Sequence, residues 1–349
     1  MEREFRCDVS SLQVFVGQIL EAAGASAADA GIAAANMVQA DLWGVSTHGV
    51  SRLSRYVMRL RDGTVNPVPD VKISGKYAAS LIVDGDNGLG AVVMERALSA
   101  AMEKADDNGI CIVGVKASNH FGMAGYYSYQ AAKRGFASIG FTNSLAAMAP
   151  WGATEACLGT NPIAFGFPRK EALPIIADMS TSLVARGKIL LAAKMGKPIP
   201  SDWALDEEGN PTTDPNRAAH GLLLPLGGPK GYALALCADV LSGVFTGADF
   251  LSLAGSYANG KTRSGIGHFY LVMRPDLFLS LQDYYARIEQ FVAEITSRQT
   301  QSGVDRIYLP GEREQLLEEK LRREGIVLPQ SVAGEMEKLA VEYHIPQPQ

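Results

Sequence analysis

Apolar positions near the start of the chain recur three or four residues apart, which is the spacing of one helix face. Ser10 or Ser11 can cap the first such helix, and Gly24 can end it. Ser26 and Asp29 form a capping-box pattern, with Asp in the usual place of Glu or Gln. This spacing predicts three helices: the one just described, an alanine-rich one through about 42, and a third over about 50–62.

Beyond an extended linker at 66–69, short apolar and β-branched runs replace the helical spacing. They alternate with glycine-rich turns and with helical patterns over about 91–108 and 230–245. Amphipathic helices are also predicted at 282–296 and 315–324, and this tail can pack back on the N-terminal helices. The predicted strands are 80–84, 110–116, 136–142, 163–167, 174–178 and 268–273.

These elements predict an α/β (α+β) fold with two domains. A chain of 349 residues is long enough for two hydrophobic cores. We expect a mainly helical domain built from both chain ends, 1–75 with about 280–349. An α/β domain is expected over 76–279. The sequence contains no internal repeat and no low-complexity tract.

The composition is that of a globular protein, with 47% hydrophobic and 20% charged residues. A formal net charge of −5 argues against a nucleic-acid groove, which needs clustered Lys and Arg. No run reaches the roughly 18 apolar residues of a membrane span, and the charged N-terminal segment has no apolar signal core. We therefore expect a cytoplasmic protein that binds neither nucleic acid nor membrane.

The four cysteines, Cys7, Cys111, Cys157 and Cys237, are far apart in the sequence. Their spacing matches neither a metal site nor a disulfide framework. We expect buried free thiols in a reducing compartment, and no bound metal.

The segment 110–125 is the first candidate for chemistry. Its apolar, strand-like run gives way to a polar cluster at Ser118, Asn119 and His120, and then to a turn at Gly122. Ligands gather at strand ends in α/β proteins, and histidine exchanges protons near neutral pH. His120 is therefore a candidate proton-transfer residue, although a histidine that only forms a structural hydrogen bond fits the same pattern.

The glycine pattern argues against a Rossmann dinucleotide site. Such a site needs G-x-G-x-x-G after the first strand. The two nearest matches, at 88–90 and 265–267, lack the third glycine at the required spacing. Any dinucleotide must therefore be held in another way.

A polar turn at 44–49 joins the second and third predicted helices. If the third helix begins near Val50, Arg52 and Tyr56 lie four residues apart on one face. An arginine can bind a carboxylate with two parallel hydrogen bonds, so Arg52 is a candidate for binding a substrate carboxylate. A solvated surface arginine is the plainer alternative.

Three further segments can face a phosphate or a ribose. One is a tight polar turn at 159–162, and another is the strand end at 177–181, with a carboxylate and two hydroxyls. The third, 226–232, places glycines, a proline and a lysine at a helix start, where N–H groups and the helix dipole attract anions. At the second segment, helix capping by Asp178 or Ser180 is an equally simple explanation.

Together, these segments resemble the type II malate/L-lactate dehydrogenase family, which includes sulfolactate, ureidoglycolate and 2,3-diketogulonate dehydrogenases and a cyclic-imine reductase. The matching motifs run in order from 40–42 to 311 and cover most of the chain. Thr47 departs from the serine of many members but keeps the hydroxyl. The motifs are THGVSR (47–52), SNHFG (118–122), PWG (150–152), GTNPIAFGFP (159–168), DMSTS (178–182), ARGK (185–188), GNPTTDP (209–215) and LGGPKGY (226–232).

The resemblance implies NAD- or NADP-dependent interconversion of a 2-hydroxy acid and a 2-oxo acid. It also implies a non-Rossmann dinucleotide-binding domain and a homodimer with the active site in a cleft between domains. His120 matches the general acid/base and Arg52 the carboxylate-binding residue. The candidate residues are catalytic His120, His48 and Asp178; substrate-binding Arg52, Tyr56 and Thr160; and dinucleotide-binding Asn143, Ser144, Asp178, Met179, Ser180, Lys230, Pro310, Gly311 and Glu312.

Several alternatives stay open at this point. The same residues can serve a ureidoglycolate, sulfolactate or diketogulonate dehydrogenase, or a reductase of piperideine- or pyrroline-2-carboxylate. A binding protein that kept the fold without catalysis is a further alternative, and the intact His48, Arg52, His120, Asp178 and Lys230 argue against it. The choice between NAD and NADP depends on what meets the ribose 2′ position, which the sequence does not locate.

Overall fold

The computed structural model describes residues 5–255 and 262–349, and its elements follow the predicted order. The strands are β1 (Phe5–Cys7), β2 (Lys72–Ser74), β3 (Ser80–Asp84), β4 (Ile110–Ser118), β5 (Ala137–Thr142), β6 (Ile163–Phe167), β7 (Ile175–Met179), β8 (Ala204–Leu205), β9 (Leu222–Leu223), β10 (Ile266–Met273) and β11 (Ile326–Leu328). The α-helices are α1 (Val9–Ala22), α2 (Ala27–Leu42), α3 (Leu53–Arg61), α4 (Gly90–Asn108), α5 (Ala124–Lys133), α6 (Arg186–Met195), α7 (Pro215–His220), α8 (Pro229–Asp239), α9 (Leu281–Thr296), α10 (Glu312–Glu324) and α11 (Gln330–Tyr343). Short 3-10 segments cover Ser46–His48, Val50–Arg52 and Leu251–Leu253, and a π-helical turn, Val240–Val244, extends α8.

A mixed sheet forms the centre of the molecule. In the described residues its order is β2-β3-β4-β10-β5-β6-β7, and β3–β4 is its one parallel pair. A Rossmann domain is built on a mostly parallel sheet, so the architecture confirms an α/β fold of a different kind. In this sheet β4 pairs with β3 and β10. The turn after β4 therefore lies at the end of an inner strand.

The N-terminal helices form as predicted, with one cap corrected. Asp8 caps α1 in place of Ser10 or Ser11, because its carboxylate accepts the Ser11 N–H at 2.9 Å. Aspartate caps helices as well as serine does, so the helix begins slightly earlier than expected. Ser26 caps α2 by accepting the Asp29 N–H at 3.1 Å, and the Asp29 carboxylate pairs with an arginine of α4.

The C-terminal tail returns to the N-terminal helices in part. α10 packs on α2, α11 packs on α1 and α3, and β11 pairs with β1. Glu318 of α10 accepts hydrogen bonds from Gln39 at 2.6 Å and from Trp43 at 2.7 Å. α9 lies instead beside the β6–β7 turn, where Glu289 pairs with Arg169 at 2.6 Å. An amphipathic pattern shows that a helix has an apolar face, but not which surface covers that face.

Two apolar cores are present in residues 5–255 and 262–349. The larger core joins the helices from both chain ends to α4, α5 and the sheet. The smaller one lies within 148–235 and includes Met148, Leu158, Ile189 and Leu223. The division into 1–75 with about 280–349 and 76–279 stays a prediction, and the larger core spans that boundary.

All four cysteines are free thiols, but they are not all buried. Cys7 and Cys111 are buried, Cys157 is half-buried and Cys237 is exposed. The expectation of buried thiols was therefore wrong for Cys237. Its helix, α8, exposes several apolar side chains, so apolar neighbours in the sequence did not indicate burial.

Residues 5–255 and 262–349 contain neither a membrane-spanning helix nor a cluster of metal-ligating side chains. There, no helix combines the length and apolarity that crossing a membrane requires. The same ranges contain no group of three or more His, Cys, Asp or Glu side chains arranged to hold a metal ion. The cytoplasmic location stays a prediction.

Candidate active site

His120 lies just beyond the end of β4, one of the inner strands of the sheet. The strand ends at Ser118, and His120 follows in a turn that includes Gly122, where φ is +86°. A Cβ on Gly122 would lie 2.0 Å from the side-chain oxygen of Asn36, so the turn requires glycine. The predicted position of His120, after a strand and before a helix, is confirmed.

Asn119 holds the backbone next to His120. Its buried amide donates to the carbonyl oxygens of Asn87 at 3.1 Å and Gly88 at 2.8 Å. Its side-chain oxygen accepts a hydrogen bond from Arg59 at 3.1 Å. These bonds tie the His120 turn to the β3–α4 connection and to α3.

The ring of His120 contacts two other predicted site residues. Its Nδ1 lies 2.7 Å from the Tyr56 hydroxyl, which also lies 3.3 Å from the His120 carbonyl oxygen. The His48 ring stacks on it, with centroids 5.3 Å apart and planes inclined by 24°. Tyr56 is buried and the two histidines are half-buried. The histidines therefore line an accessible surface above a buried tyrosine.

Arg52 lies on the same turn as His48. Two 3-10 segments build this turn, and His48 and Arg52 are their last residues. Arg52 Nε donates to the Thr47 carbonyl oxygen at 2.5 Å, and the Thr47 hydroxyl lies 3.0 Å from His48 Nδ1. Arg52 is half-buried. The turn thus gathers a histidine and an arginine beside His120.

The surrounding protein keeps both histidines uncharged at neutral pH. Loss of solvent around the ring, with a smaller contribution from the Arg52 charge, lowers the pKa of His48 to about 4. Loss of solvent also lowers the pKa of His120 well below its usual range, and the Arg52 charge acts in the same direction. A neutral His120 can accept a proton.

Gly90, the first residue of α4, leaves room for the His120 backbone. A Cβ at this position would lie 2.2 Å from the Asn119 carbonyl oxygen and 2.5 Å from that of His120. We expect Gly90→Ala to lower kcat/KM about 10- to 100-fold by displacing His120. The free energy of unfolding should fall by about 1–3 kcal/mol, as in other overpacked sites.

Steady-state kinetics and denaturant unfolding measure these two effects. Gly31→Ala is the matched control, because a Cβ there meets nothing within 4 Å. We expect it to keep wild-type activity. A wild-type kcat/KM in Gly90→Ala would contradict the predicted displacement.

A second cluster of predicted residues gathers at the end of β7. Asp178 accepts the Gly125 N–H at 2.7 Å, which links this strand to the first turn of α5, shortly after His120. Loss of solvent around the carboxyl group raises the pKa of Asp178 to about 6, and the hydrogen bond from the Gly125 N–H opposes this rise. Thr181 donates its N–H and its hydroxyl to the Thr160 carbonyl oxygen, each at 2.9 Å. Thr160 therefore contacts the segment that follows β7, three residues beyond Asp178.

Two of the predicted dinucleotide-binding segments flank β7. The Pro310 carbonyl oxygen accepts the Ile176 N–H at 3.0 Å. Gly311 follows with φ of +79°, and a Cβ there would lie 2.6 Å from the Ile176 carbonyl oxygen. The Leu226 N–H donates to the Thr181 carbonyl oxygen at 2.9 Å, which brings the glycine-rich turn before α8 to the end of this strand.

Asn143 and Ser144 have polar groups that the protein itself engages. The buried Asn143 amide donates to the Asp249 carbonyl oxygen at 2.7 Å and accepts the Gly267 N–H at 3.0 Å. The Ser144 N–H donates to the side-chain oxygen of Asn161 at 2.9 Å. Asn143 therefore links β5 to β10, and its contact with a dinucleotide stays a prediction.

Glu312 is engaged in a similar way. Its carboxylate accepts the Leu309 N–H at 2.9 Å and pairs with Arg306 at 2.6 Å. Met179 and Ser180 lie at the end of β7, where Met179 is exposed and Ser180 is half-buried. Met179 is thus accessible to a ligand, as are the exposed Lys230 and Pro310 of the same predicted set.

The predicted residues thus form one group around His120 and another around the end of β7. A sequence model of the malate/L-lactate dehydrogenase family matches residues 7–337. The chain belongs to this family.

Relatives support this assignment along nearly the whole chain. The sequence is 38% identical to a malate dehydrogenase of Pyrococcus horikoshii, covering 97% of this chain and 96% of that protein. The solved structure of a sulfolactate dehydrogenase from Methanocaldococcus jannaschii has a TM-score of 0.92 and 35% identity, covering 98% of each chain. Other relatives are named for NAD(+) or for NADP(+). This member of the malate/L-lactate dehydrogenase family is therefore an NAD(P)-dependent oxidoreductase that acts on hydroxy acids and oxo acids.

The dehydrogenase has features that fit a dinucleotide. α8 begins at Pro229, and no side chain of the described residues caps it. Gly228 precedes it with φ of +65°, and Lys230 is exposed. The first N–H groups of α8 and the lysine charge can therefore face a phosphate group. A Cβ on Gly228 would lie 3.2 Å from the exposed Trp151 ring, so the turn also needs glycine.

Two buried residues that support the site, Arg59 and His268, were not predicted from the sequence. Arg59 is buried beside the His120 turn. His268 is also buried, stacks on Phe121 at 4.3 Å, and lies 2.7 Å from the Thr142 hydroxyl and 2.8 Å from the Ser118 hydroxyl. A polar residue inside an apolar strand was the only local signal for His268, and it does not indicate the partners.

Proposed function

We propose that this dehydrogenase interconverts a small 2-hydroxy acid of the malate or lactate type and its 2-oxo acid, with His120 moving the proton. The observation that carries the proposal is the pair of contacts between Tyr56 and His120. The Tyr56 hydroxyl can donate to the His120 carbonyl oxygen and accept from Nδ1–H of the ring. We therefore assign the proton to Nδ1, which makes Nε2 the basic nitrogen.

In the oxidation direction, His120 Nε2 takes the proton of the substrate hydroxyl. Bound NAD or NADP supplies the acceptor for the hydride that leaves C2. The lowered pKa of His120 keeps the ring neutral and ready to accept the proton at neutral pH. Tyr56 keeps the ring oriented during the transfer.

We propose that Arg52 binds the substrate carboxylate and so orients C2. Loss of solvent and, to a smaller extent, the Arg52 charge lower the pKa of His120, and a bound carboxylate would offset that charge. The imidazolium form then becomes more accessible in the complex, as reduction of the 2-oxo acid requires. In that direction His120 donates its proton to the carbonyl oxygen.

The other predicted residues complete the proposed site. His48 stacks on His120 and stays uncharged at neutral pH, so we assign it to the substrate surface beside the proton-transfer ring. Asp178 joins the end of β7 to α5, and we assign it to the boundary between the catalytic and dinucleotide-binding residues. Thr160, one residue of that boundary, is proposed to contact substrate. The dinucleotide would be held by the segments around Ser180, Lys230 and Gly311.

A substrate panel tests this proposal and its alternatives. Oxidation of NADH and NADPH is followed with oxaloacetate, pyruvate, sulfopyruvate, diketogulonate, oxalurate and a piperideine-2-carboxylate. We expect the highest kcat/KM with a malate- or lactate-type 2-oxo acid. A cyclic imine in first place would favour the reductase alternative, and no turnover with any compound would refute the proposal.

We also propose that the dehydrogenase is a homodimer. Leu236, Val240 and Val244 recur every fourth residue on α8 and its π-helical extension, and all three are exposed in the single chain. The neighbouring Phe245 is 72% exposed. An apolar face of this kind is typical of a surface covered by another subunit.

We expect Phe245→Glu to weaken the dimer at least about 30-fold, because truncated or charged anchors cost about 2 kcal/mol or more at such interfaces. Sedimentation equilibrium of the wild type and the variant measures the dissociation constant. Tyr77 is an exposed aromatic residue on the β2–β3 turn, so Tyr77→Glu is the control. It should leave the dissociation constant of the dimer unchanged. An equal dissociation constant for Phe245→Glu and the wild type would place the interface elsewhere.

A further inference from the structure

Asp41 is not one of the proposed site residues, but it is hydrogen-bonded to the turn that carries two of them, His48 and Arg52. It is in the last turn of α2 and only 6% exposed. Its Oδ2 accepts the Val50 N–H at 2.8 Å. Burial raises the pKa of this carboxyl group to about 7, and the Val50 N–H opposes that shift. A buried carboxylate of this kind needs a specific reason to be retained.

Val50 begins a continuous helical run. The 3-10 segment Val50–Arg52 leads directly into α3, which ends at Arg61. The first N–H groups of such a run have no carbonyl partner within it. Asp41 supplies the acceptor from a neighbouring helix and places a carboxyl group at the positive end of the helix dipole.

The packing at Gly49 shows how closely the turn is seated on this carboxyl group. A Cβ on Gly49 would lie 2.1 Å from Asp41 Oδ1 and 2.3 Å from Oδ2. The backbone between His48 and Val50 therefore rests directly on the Asp41 side chain. Removal of the Asp41 side chain would therefore remove a direct support of the turn.

The helical run that Asp41 caps carries the residues on which the proposed reaction depends. Arg52 is in its first turn, Tyr56 follows one turn later and bonds His120, and Arg59 bonds the residue before His120. The direction of the run at its start therefore sets where these side chains point.

We propose that Asp41 is a positioning residue for the substrate site: it caps the 50–61 helical run and thereby aims Arg52 and Tyr56. This inference rests on the proposed function, because it assigns a purpose to the same site. Asp41 itself acts through the turn and the helix.

The test compares Asp41→Ala with Asp41→Asn. Asp41→Ala removes the acceptor, and we expect KM for the preferred substrate to rise about 10-fold or more through misplacement of Arg52. Asp41→Asn keeps an oxygen that can accept the Val50 N–H, so its KM should stay within about threefold of the wild type. The 2-oxo acid cannot react with enzyme that holds the oxidised dinucleotide, so calorimetry measures its dissociation constant directly. That constant should rise strongly in Asp41→Ala and only slightly in Asp41→Asn.

Asp8→Ala is the matched control, because it removes a cap from α1 and leaves the active-site turn intact. Both alanine variants should melt at lower temperature, but KM should rise in Asp41→Ala alone. Dinucleotide affinity, measured by fluorescence titration, should stay at its wild-type value in all variants.

Three results would overturn the inference: a wild-type KM in Asp41→Ala, an equal rise in Asp8→Ala, or no recovery in Asp41→Asn. If Asp41→Ala does not fold, Gly49→Ala replaces it, since the added Cβ forces the turn off the carboxyl group. A wild-type KM in folded Gly49→Ala would then overturn the inference. Absence of turnover in the wild type would refute the proposed function instead.

Discussion

Replacing His120 by alanine is expected to lower kcat for hydroxy-acid oxidation by about 10²- to 10⁴-fold, which is the usual contribution of positioned proton transfer. Tyr56 orients the neutral His120 ring. Loss of solvent lowers the pKa of that ring well below its usual range. The predicted dinucleotide-binding residues lie mainly around β7 and the start of α8. NADH and NADPH should therefore bind the variant as they bind the wild type, which fluorescence titration measures.

His220→Ala is the control for this substitution. His220 is an exposed histidine at the end of α7. We expect it to leave kcat and dinucleotide affinity unchanged. Near-normal turnover in His120→Ala would remove this histidine from the proton-transfer role.

Arg52→Lys has the second large expected effect, and it acts on substrate binding. A lysine keeps the charge but cannot present two parallel N–H groups to a carboxylate. A hydrogen bond to a charged group contributes about 1.5–3 kcal/mol, so KM should rise about 10- to 100-fold. Steady-state kinetics with saturating dinucleotide measure KM and kcat for the substrate. We expect kcat to change much less than KM.

Arg55→Lys provides the comparison on the same helix. Arg55 is exposed, so its replacement should leave KM at the wild-type value. An unchanged KM in Arg52→Lys would show that the substrate carboxylate binds elsewhere. A weaker dinucleotide affinity in that variant would also contradict the assignment, because Arg52 would then serve the cofactor.

Local patterns predicted most helices and strands because those patterns depend on nearby residues. The helical spacing before 62 describes three helices, and the apolar runs at 110–116 and 163–167 describe one strand each. The cap of α1 was assigned to the wrong residue, since Asp8 and the two serines have similar capping chemistry. The order of strands was beyond reach, because no local pattern places β10 between β4 and β5.

The site could be predicted in part for the same reason. His120 and Arg52 stand in recognisable turns, and family motifs connect them. The bonds that orient them join distant positions, such as Tyr56 with His120 or Asp178 with Gly125. Such contacts depend on the packed fold, so their partners were not visible in the sequence.

The central claim is that a hydride leaves C2 of a 2-hydroxy acid for the dinucleotide. It is tested most directly with the hydroxy acid that the substrate panel ranks first, carrying deuterium at C2. Mass spectrometry of the reduced dinucleotide gives the result. The account predicts that the deuterium appears in NADH or NADPH. Reduced dinucleotide without deuterium, or hydroxy acid consumed without reduced dinucleotide, would contradict it.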